Sequence, residues 1–211
     1  MAKRRYKLTG VQRRIRYAGR KALGMVLLAA IVTGLVLADR LGVFGTAPTP
    51  DRERYDGKTF FVVHVVDGDT LDIDARDEQR DRPYTRIRLW GVDTPELAKK
   101  NRPAQAFADE AKQFAEETAA GKRVKLELDP RRSRGRYDRL LAYVYLPDGR
   151  MLNRSLVEEG YGYADPRFGH RRMSEFNRLQ RQAMKARRGL WEEIRPSGLP
   201  SYYRDLKLPA D

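Results

Sequence analysis

"VVDGDTLDID" (Val65 to Asp74) and "RIRLWGVDTPEL" (Arg86 to Leu97) together decide how this chain is built. In the first piece Leu71 and Ile73 face one way and Thr70, Asp72 and Asp74 the other, as on a strand with one buried face. The second is a short, mostly apolar strand from Ile87 to Val92 that runs into Asp93-Thr94-Pro95-Glu96. If the two strands pair, Asp69 and Asp93 come close at one end of a sheet. Two carboxylates held together are unfavourable without a cation. A hard, oxygen-seeking ion such as Ca²⁺ would offset that repulsion.

Working outward, Thr59 to Val66 ("TFFVVHVV") is rich in β-branched and aromatic residues and reads as a strand. Asp67-Gly68 turns it into the next strand as a hairpin, and His64 inside it reads as a sheet-packed residue. A polar loop, 76–85, leads to the strand from Arg86. The sequence predicts a helix over 102–120, with Pro103 in its first turn, a stripe of Phe107, Ala111, Phe114 and Ala115, and Gly121 as its stop. Lys122 to Asp129 and Arg139 to Leu146 supply two more strands. Asn153 suits the cap of a short helix ending near Glu159. A basic final helix is expected over 170–188, followed by Gly189-Leu190-Trp191 as a stop and core plug. The expected fold is mainly β with helices (α+β). Its centre is a five-stranded, antiparallel OB-type barrel with an inserted helix and a C-terminal helix.

The net charge of +14 is uneven: residues 1–54 carry 12 Lys/Arg against 3 Asp/Glu, whereas the remainder carries only +5. Charge is therefore a weak argument for nucleic acid. The absence of cysteine excludes disulfides and thiolate metal sites, and two histidines make a His-rich zinc site a poor fit. Residues 1–21 are basic, and 22–38 ("ALGMVLLAAIVTGLVLA") hold no charge. As a helix that apolar stretch covers roughly 26 Å, just short of a ~30 Å hydrocarbon core. Arg20, Lys21 and Arg40 can snorkel at its ends. The expectation is one transmembrane helix, with the N-terminus cytoplasmic and the rest outside. Secretion after cleavage at Val36-Leu37-Ala38 is the alternative. Residues 39–57 read as a flexible linker, 58–193 as the folded domain and 194–211 as a tail.

"VVDGDTLDI", "RLWGVDTPE" and "RYDRLLAYVY", in that order, resemble the staphylococcal nuclease (thermonuclease) family, and "RQAMKARRGLW" is similar to its C-terminal helix. The resemblance covers about residues 59–191. It implies a Ca²⁺-dependent endonuclease hydrolysing DNA and/or RNA. Asp69 and Asp93 match the family's Ca²⁺-binding carboxylates, and Thr94 the residue that adds a backbone carbonyl. Glu96 matches the proposed general base, and Arg88 and Arg139 the two phosphate-binding arginines. Arg136 and Tyr137 fall where a basic residue and a tyrosine lie near the bound nucleotide. Asp138 departs from the family, standing where its best-known members have glycine, and Tyr161 and Tyr163 cannot be told apart for a base-stacking role.

The residue types make chemical sense independently. A cation can polarise a phosphate oxygen and orient a water, glutamate can take the water's proton, and arginine forks fit phosphate oxygens. Asp67, Asp72 and Asp74 read as turn and solvent-face residues, and Arg86 as a solvated strand residue. The "DGDTLDID" run is no EF-hand, since it lacks that loop's sixth-position glycine and closing glutamate. The alternatives are a non-catalytic nucleic-acid-binding barrel on a membrane anchor, or an anchored domain whose basic final helix meets protein or anionic lipid. A monomer is expected.

Overall fold

The hairpin around Asp67-Gly68 forms: Thr59–Asp67 (β1) pairs antiparallel with Thr70–Ile73 (β2), which pairs antiparallel with Thr85–Leu89 (β3). The computed structural model of this chain describes residues 24–34, 50–194 and 198–203. It divides into two units, Met1–Ala47 and Pro48–Asp211. In the first, residues 24–34 are helical and their side chains are exposed. Among the described residues no helix is long and apolar enough to cross a membrane. The remainder of the expected span, 22–23 and 35–38, lies outside them.

In the second unit Pro50–Tyr55 is a helix (α1), followed by β1 to β3, Val92–Asp93 (β4), Ala108–Ala119 (α2), Arg123–Leu128 (β5) and Leu140–Tyr145 (β6). Leu152–Glu158 (α3), Tyr163–Ala164 (β7), Met173–Lys185 (α4) and Leu190–Glu193 (α5) complete it, with a 3₁₀ turn at Ser201–Tyr203. The five long strands close a barrel in the order β1-β2-β3-β6-β5. This is the expected five-stranded barrel with one correction: β3 and β6 run parallel. A parallel pair needs a long crossover, and here α2 and β5 supply it.

β1 does not alternate strictly. Val62 and Val65, three residues apart, are both buried because the ladder with β2 slips between Val62 and His64. Such a bulge re-aims the residues beside it, so the His64 side chain is 62% exposed instead of packed in the sheet. On β2 both faces are covered. Leu71 and Ile73 enter the core, while Thr70 and Asp72 lie opposite Arg88 and Arg86. Arg86 donates to both oxygens of buried Asp72, at 2.7 and 2.9 Å. Asp72 and Arg86 are thus a two-point ion pair with a buried acid and a half-buried arginine, not the solvated residues expected.

Three further expectations are corrected. Residues 50–55 belong to the fold, not to a linker: Tyr55 is buried in the core and its hydroxyl meets Thr85 Oγ1 at 3.0 Å. The inserted helix starts at Ala108, not 102, because Lys99 and Arg102 bond to each other and the Gln105 N–H bonds to the Glu96 carbonyl. Those backbone groups pair with the preceding loop and leave the helical ladder. Asn153 does not cap α3. Buried at the barrel end, its Oδ1 accepts from the Val144 N–H and its Nδ2 donates to the Trp90 and Ala142 carbonyls. The Gly189-Leu190-Trp191 plug holds, with Leu190 and Trp191 buried at the start of α5.

Small residues let α2 lie close to the barrel, with Ala108, Ala111, Ala115 and Ala119 all buried. The chain breaks between β3 and β4 at Gly91. Its φ of +77° is left-handed, and a Cβ there would collide with the His170 ring. Glycine meets both demands at no steric cost. The break lets Val92–Asp93 leave the barrel and pair with β7, which carries Asp93 to the barrel's edge.

Candidate active site

Asp69 follows the turn that opens β2, and its carboxylate is buried. Oδ2 accepts from the Thr94 N–H at 2.9 Å and the Thr94 hydroxyl at 3.2 Å, and Oδ1 accepts from the Thr70 hydroxyl at 3.0 Å. Gly68 permits that approach: a Cβ on it would fall 2.9 Å from the Thr94 side chain. The two acidic motifs are thereby joined, one carboxylate stitching the start of β2 to the end of β4.

Arg88 projects from β3 between both acids. Nη1 meets Asp69 Oδ1 and Nη2 meets Asp93 Oδ1, with Nη2 also 3.1 Å from the Val92 carbonyl. Asp93 Oδ1 takes a second cation, Arg167 Nη2, at 2.9 Å, and Oδ2 accepts from the Tyr202 hydroxyl. Burial pushes the Asp93 carboxyl up, but the Arg88 charge, the Tyr202 hydroxyl and the Arg167 charge outweigh it and hold the group below its ordinary range. The acid is thus ionised, and its charge is compensated by neighbouring donors.

Arg139 enters just before β6. Its Nη1 lies 3.4 Å from the Thr70 hydroxyl and its guanidinium 5.9 Å from the Tyr137 ring. Burial, then the nearby Arg88 charge, lower its pKa from the ordinary arginine value. It meets no carboxylate at ion-pair distance among the described residues. A half-buried cation left in that state beside another arginine is suited to an anion.

Asp138 keeps the turn before Arg139 by adopting φ +55°, left-handed like a glycine, while the Gly135 N–H donates to the Arg139 carbonyl at 2.9 Å. Short polar residues tolerate that conformation better than most. Behind the turn, Arg134 is nearly buried between Asp51 and Asp77 and donates to the Asp138 carbonyl at 2.9 Å. The loop that delivers Arg139 is therefore pinned to α1 by a buried charge network.

A cleft of about 730 Å³ gathers Arg88, Asp93, Glu96, Arg136, Tyr137 and Arg139. Of the residues singled out in the sequence, Asp69 and Thr94 do not line it. They sit behind Arg88 and Asp93. The Glu96 backbone is clamped by Gln105, and its carboxylate pairs with Lys99. Tyr137 and Arg136 are on the rim, with Tyr137 64% exposed. Tyr161 stacks on Phe114 and Tyr163 is buried against Trp191, so neither reaches the cleft.

Arg167, Phe168 and Tyr202 escaped the sequence reading. Phe168 lies on the cleft wall, partly exposed and stacked on Trp90 with ring centres 5.9 Å apart. The one legible cue was an aromatic between basic residues in "DPRFGHR". The site offers oxygen donors in Asp69 and Asp93. Among the described residues no group of three or more His, Cys, Asp or Glu is close enough to hold a metal ion.

Residues 86–193 match the family model described as staphylococcal nuclease homologue. The chain is 32% identical over 168 residues to a thermonuclease of Staphylococcus hyicus, spanning 79% of this chain and 94% of that protein. It is 35% identical over 174 residues to a thermonuclease of Staphylococcus intermedius, spanning 80% and 96%. An uncharacterized endonuclease of Escherichia coli is 33% identical over 135 residues, or 64% of this chain and 78% of its own length.

Proposed function

The chain belongs to the staphylococcal nuclease family, and from that premise we propose that it is a Ca²⁺-dependent phosphodiesterase that cleaves DNA, RNA or both. That it is a nuclease follows from thermonuclease and endonuclease relatives that align over most of this chain. The observation that carries the finer assignment is the half-buried Arg139, which meets no carboxylate at ion-pair distance among the described residues and shares a cleft with Arg88, Asp93 and Glu96.

The donors present fit a hard divalent cation. Asp69 and Asp93 converge on the single guanidinium of Arg88, so positive charge already stands between them. Two carboxylates and the Thr94 carbonyl would hold Ca²⁺ and leave the remaining positions to water and phosphate oxygens, the oxygen-rich coordination this ion takes. When bound, such an ion polarises a phosphate oxygen and favours deprotonation of water. Glu96 accepts the proton of the attacking water. Its backbone is held by Gln105 on both sides, so the carboxylate has a fixed base to work from. Arg139 and Arg88 meet the charge that gathers on the phosphoryl oxygens, and their planar forks can engage two oxygens each. Arg136 and Tyr137 receive the neighbouring nucleotide at the rim.

The proposal extends to residues 22–38 as a single membrane anchor that places the nuclease domain outside the cytoplasm. Its support is the run of 17 uncharged residues between Arg20-Lys21 and Arg40. After a carbonate wash, the protein should stay with the membranes and keep its N-terminus. A mature protein starting near Asp39 would mean secretion instead.

The variants Glu96→Gln, Arg88→Ala and Arg139→Ala test the chemistry. Each should lower kcat on single-stranded DNA by on the order of 10²-fold or more, the scale of losing a general base or an electrostatic contact in the transition state. Their circular dichroism should match that of the parent. A parent that binds nucleic acid without cutting it would mark the fold as a binding module and contradict the proposal.

A further inference from the structure

The C-terminal turn Ser201–Tyr203 lies beyond residue 193, where the family match ends, yet it delivers a side chain to the site. The Tyr202 hydroxyl donates to Asp93 Oδ2 across 109 positions of sequence. Its ring lies 4.3 Å from the Arg167 guanidinium carbon. Arg167 is itself fixed, donating to both oxygens of Asp165 at 2.8 Å while its Nη2 reaches Asp93 Oδ1. Both Asp93 oxygens are thus held by groups from β3, the loop after β7 and the C-terminal turn.

The turn has its own anchor. Tyr203 is buried in a cluster with Tyr163, Leu190 and Trp191, and its hydroxyl meets the Ala164 carbonyl and Gln180 Oε1. Tyr202 therefore approaches Asp93 from a packed support.

We propose that Tyr202 is a positioning residue: its hydroxyl orients the Asp93 carboxylate for cation binding, and the C-terminal turn is a working part of the nuclease site. The proposal rests on the assignment of Asp93 as a Ca²⁺ ligand. A ligating carboxylate that is already hydrogen-bonded does not have to be ordered when the ion arrives. Loss of such an outer contact typically weakens metal binding by about 10- to 100-fold.

Tyr202→Phe in the full chain removes the hydroxyl and keeps the ring on Arg167. Ca²⁺ binding is followed by isothermal titration calorimetry, with thermal melts as the check on folding. The expected result is an unchanged melting temperature, a Ca²⁺ Kd raised about 10-fold and kcat at saturating Ca²⁺ within about twofold of the parent. A Kd equal to the parent's overturns the positioning role. A tighter Kd also overturns it, because the tyrosine would then be competing with the ion. If Tyr202→Phe melts lower, Tyr203→Phe serves as the comparison: it loosens the turn and leaves the Tyr202 hydroxyl. Equal effects of the two variants on Kd would reduce the contact to packing and overturn the proposal. A parent that binds no Ca²⁺ refutes the assignment of Asp93 itself, a result separable from failure of the tyrosine's role alone.

Discussion

Asp69 shows how a single side chain joins two motifs, reaching Thr94 across 25 positions of sequence. It accepts from Thr94 and Thr70 and meets Arg88, so both its oxygens are occupied inside the protein. The pattern of turns and strands made Asp69 and Asp93 legible as a pair at one sheet end, whereas Arg88 and Arg139 were read through the family resemblance. Arg167 and Tyr202 were not legible, since only tertiary packing brings them to Asp93. Asp138 was legible as a departure, and the structure supplies its consequence: the left-handed turn persists with φ +55°. A left-handed residue other than glycine costs roughly 1–2 kcal/mol, less for short polar side chains. Asp138→Gly should therefore change stability by less than about 1 kcal/mol and leave cleavage intact. Asp138→Val should cost about 1–2 kcal/mol. Urea melts of the two variants check this.

Among the elements, α1 departs most from the sequence reading. Proline, glycine and mixed charge argued for a linker over 39–57, yet Tyr55 enters the core and Asp51 takes two donors from Arg134 at 2.9 Å each. No local pattern announces such a helix, because its stability comes from the surface it covers. Truncation separates the two views. Removing residues 1–47 should leave the stability of the domain unchanged. Removing 1–57 empties the Tyr55 site and takes Asp51 from Arg134, leaving it Asp77 and the Asp138 carbonyl, at a cost of about 3–5 kcal/mol, the range for losing a large aromatic from a core. Since Arg134 also holds the turn before Arg139, the shorter chain should lose cleavage rate as well.

At the scale of the whole molecule, strand count and helix insertion could be read from alternation and turns, and both were compatible with a barrel. The parallel β3–β6 pair could not, because it depends on which distant strand closes the barrel, and the bulge in β1 could not, because no residue pattern marks a slip in the β1–β2 ladder. That closure also buries His170, whose Nδ1 lies 3.0 Å from the Tyr143 hydroxyl. Burial holds its pKa below the ordinary 6.5. Between that lowered value and about 6.5 the unfolded chain binds the extra proton, so stability falls as pH drops through this window and levels off above it. Urea midpoints at pH 7.5 and 5.5 should differ in that direction, and His170→Gln should shrink the difference. The central claim, however, concerns the cleft that the barrel edge, the Arg139 loop and the loop after β7 build together. Its most direct test is the single-turnover cleavage of a single-stranded oligonucleotide by the full chain, in Ca²⁺ and in excess chelator. Rapid cleavage in Ca²⁺ that vanishes in chelator is the expected result. Equal rates in the two conditions, or no cleavage in Ca²⁺, would contradict it.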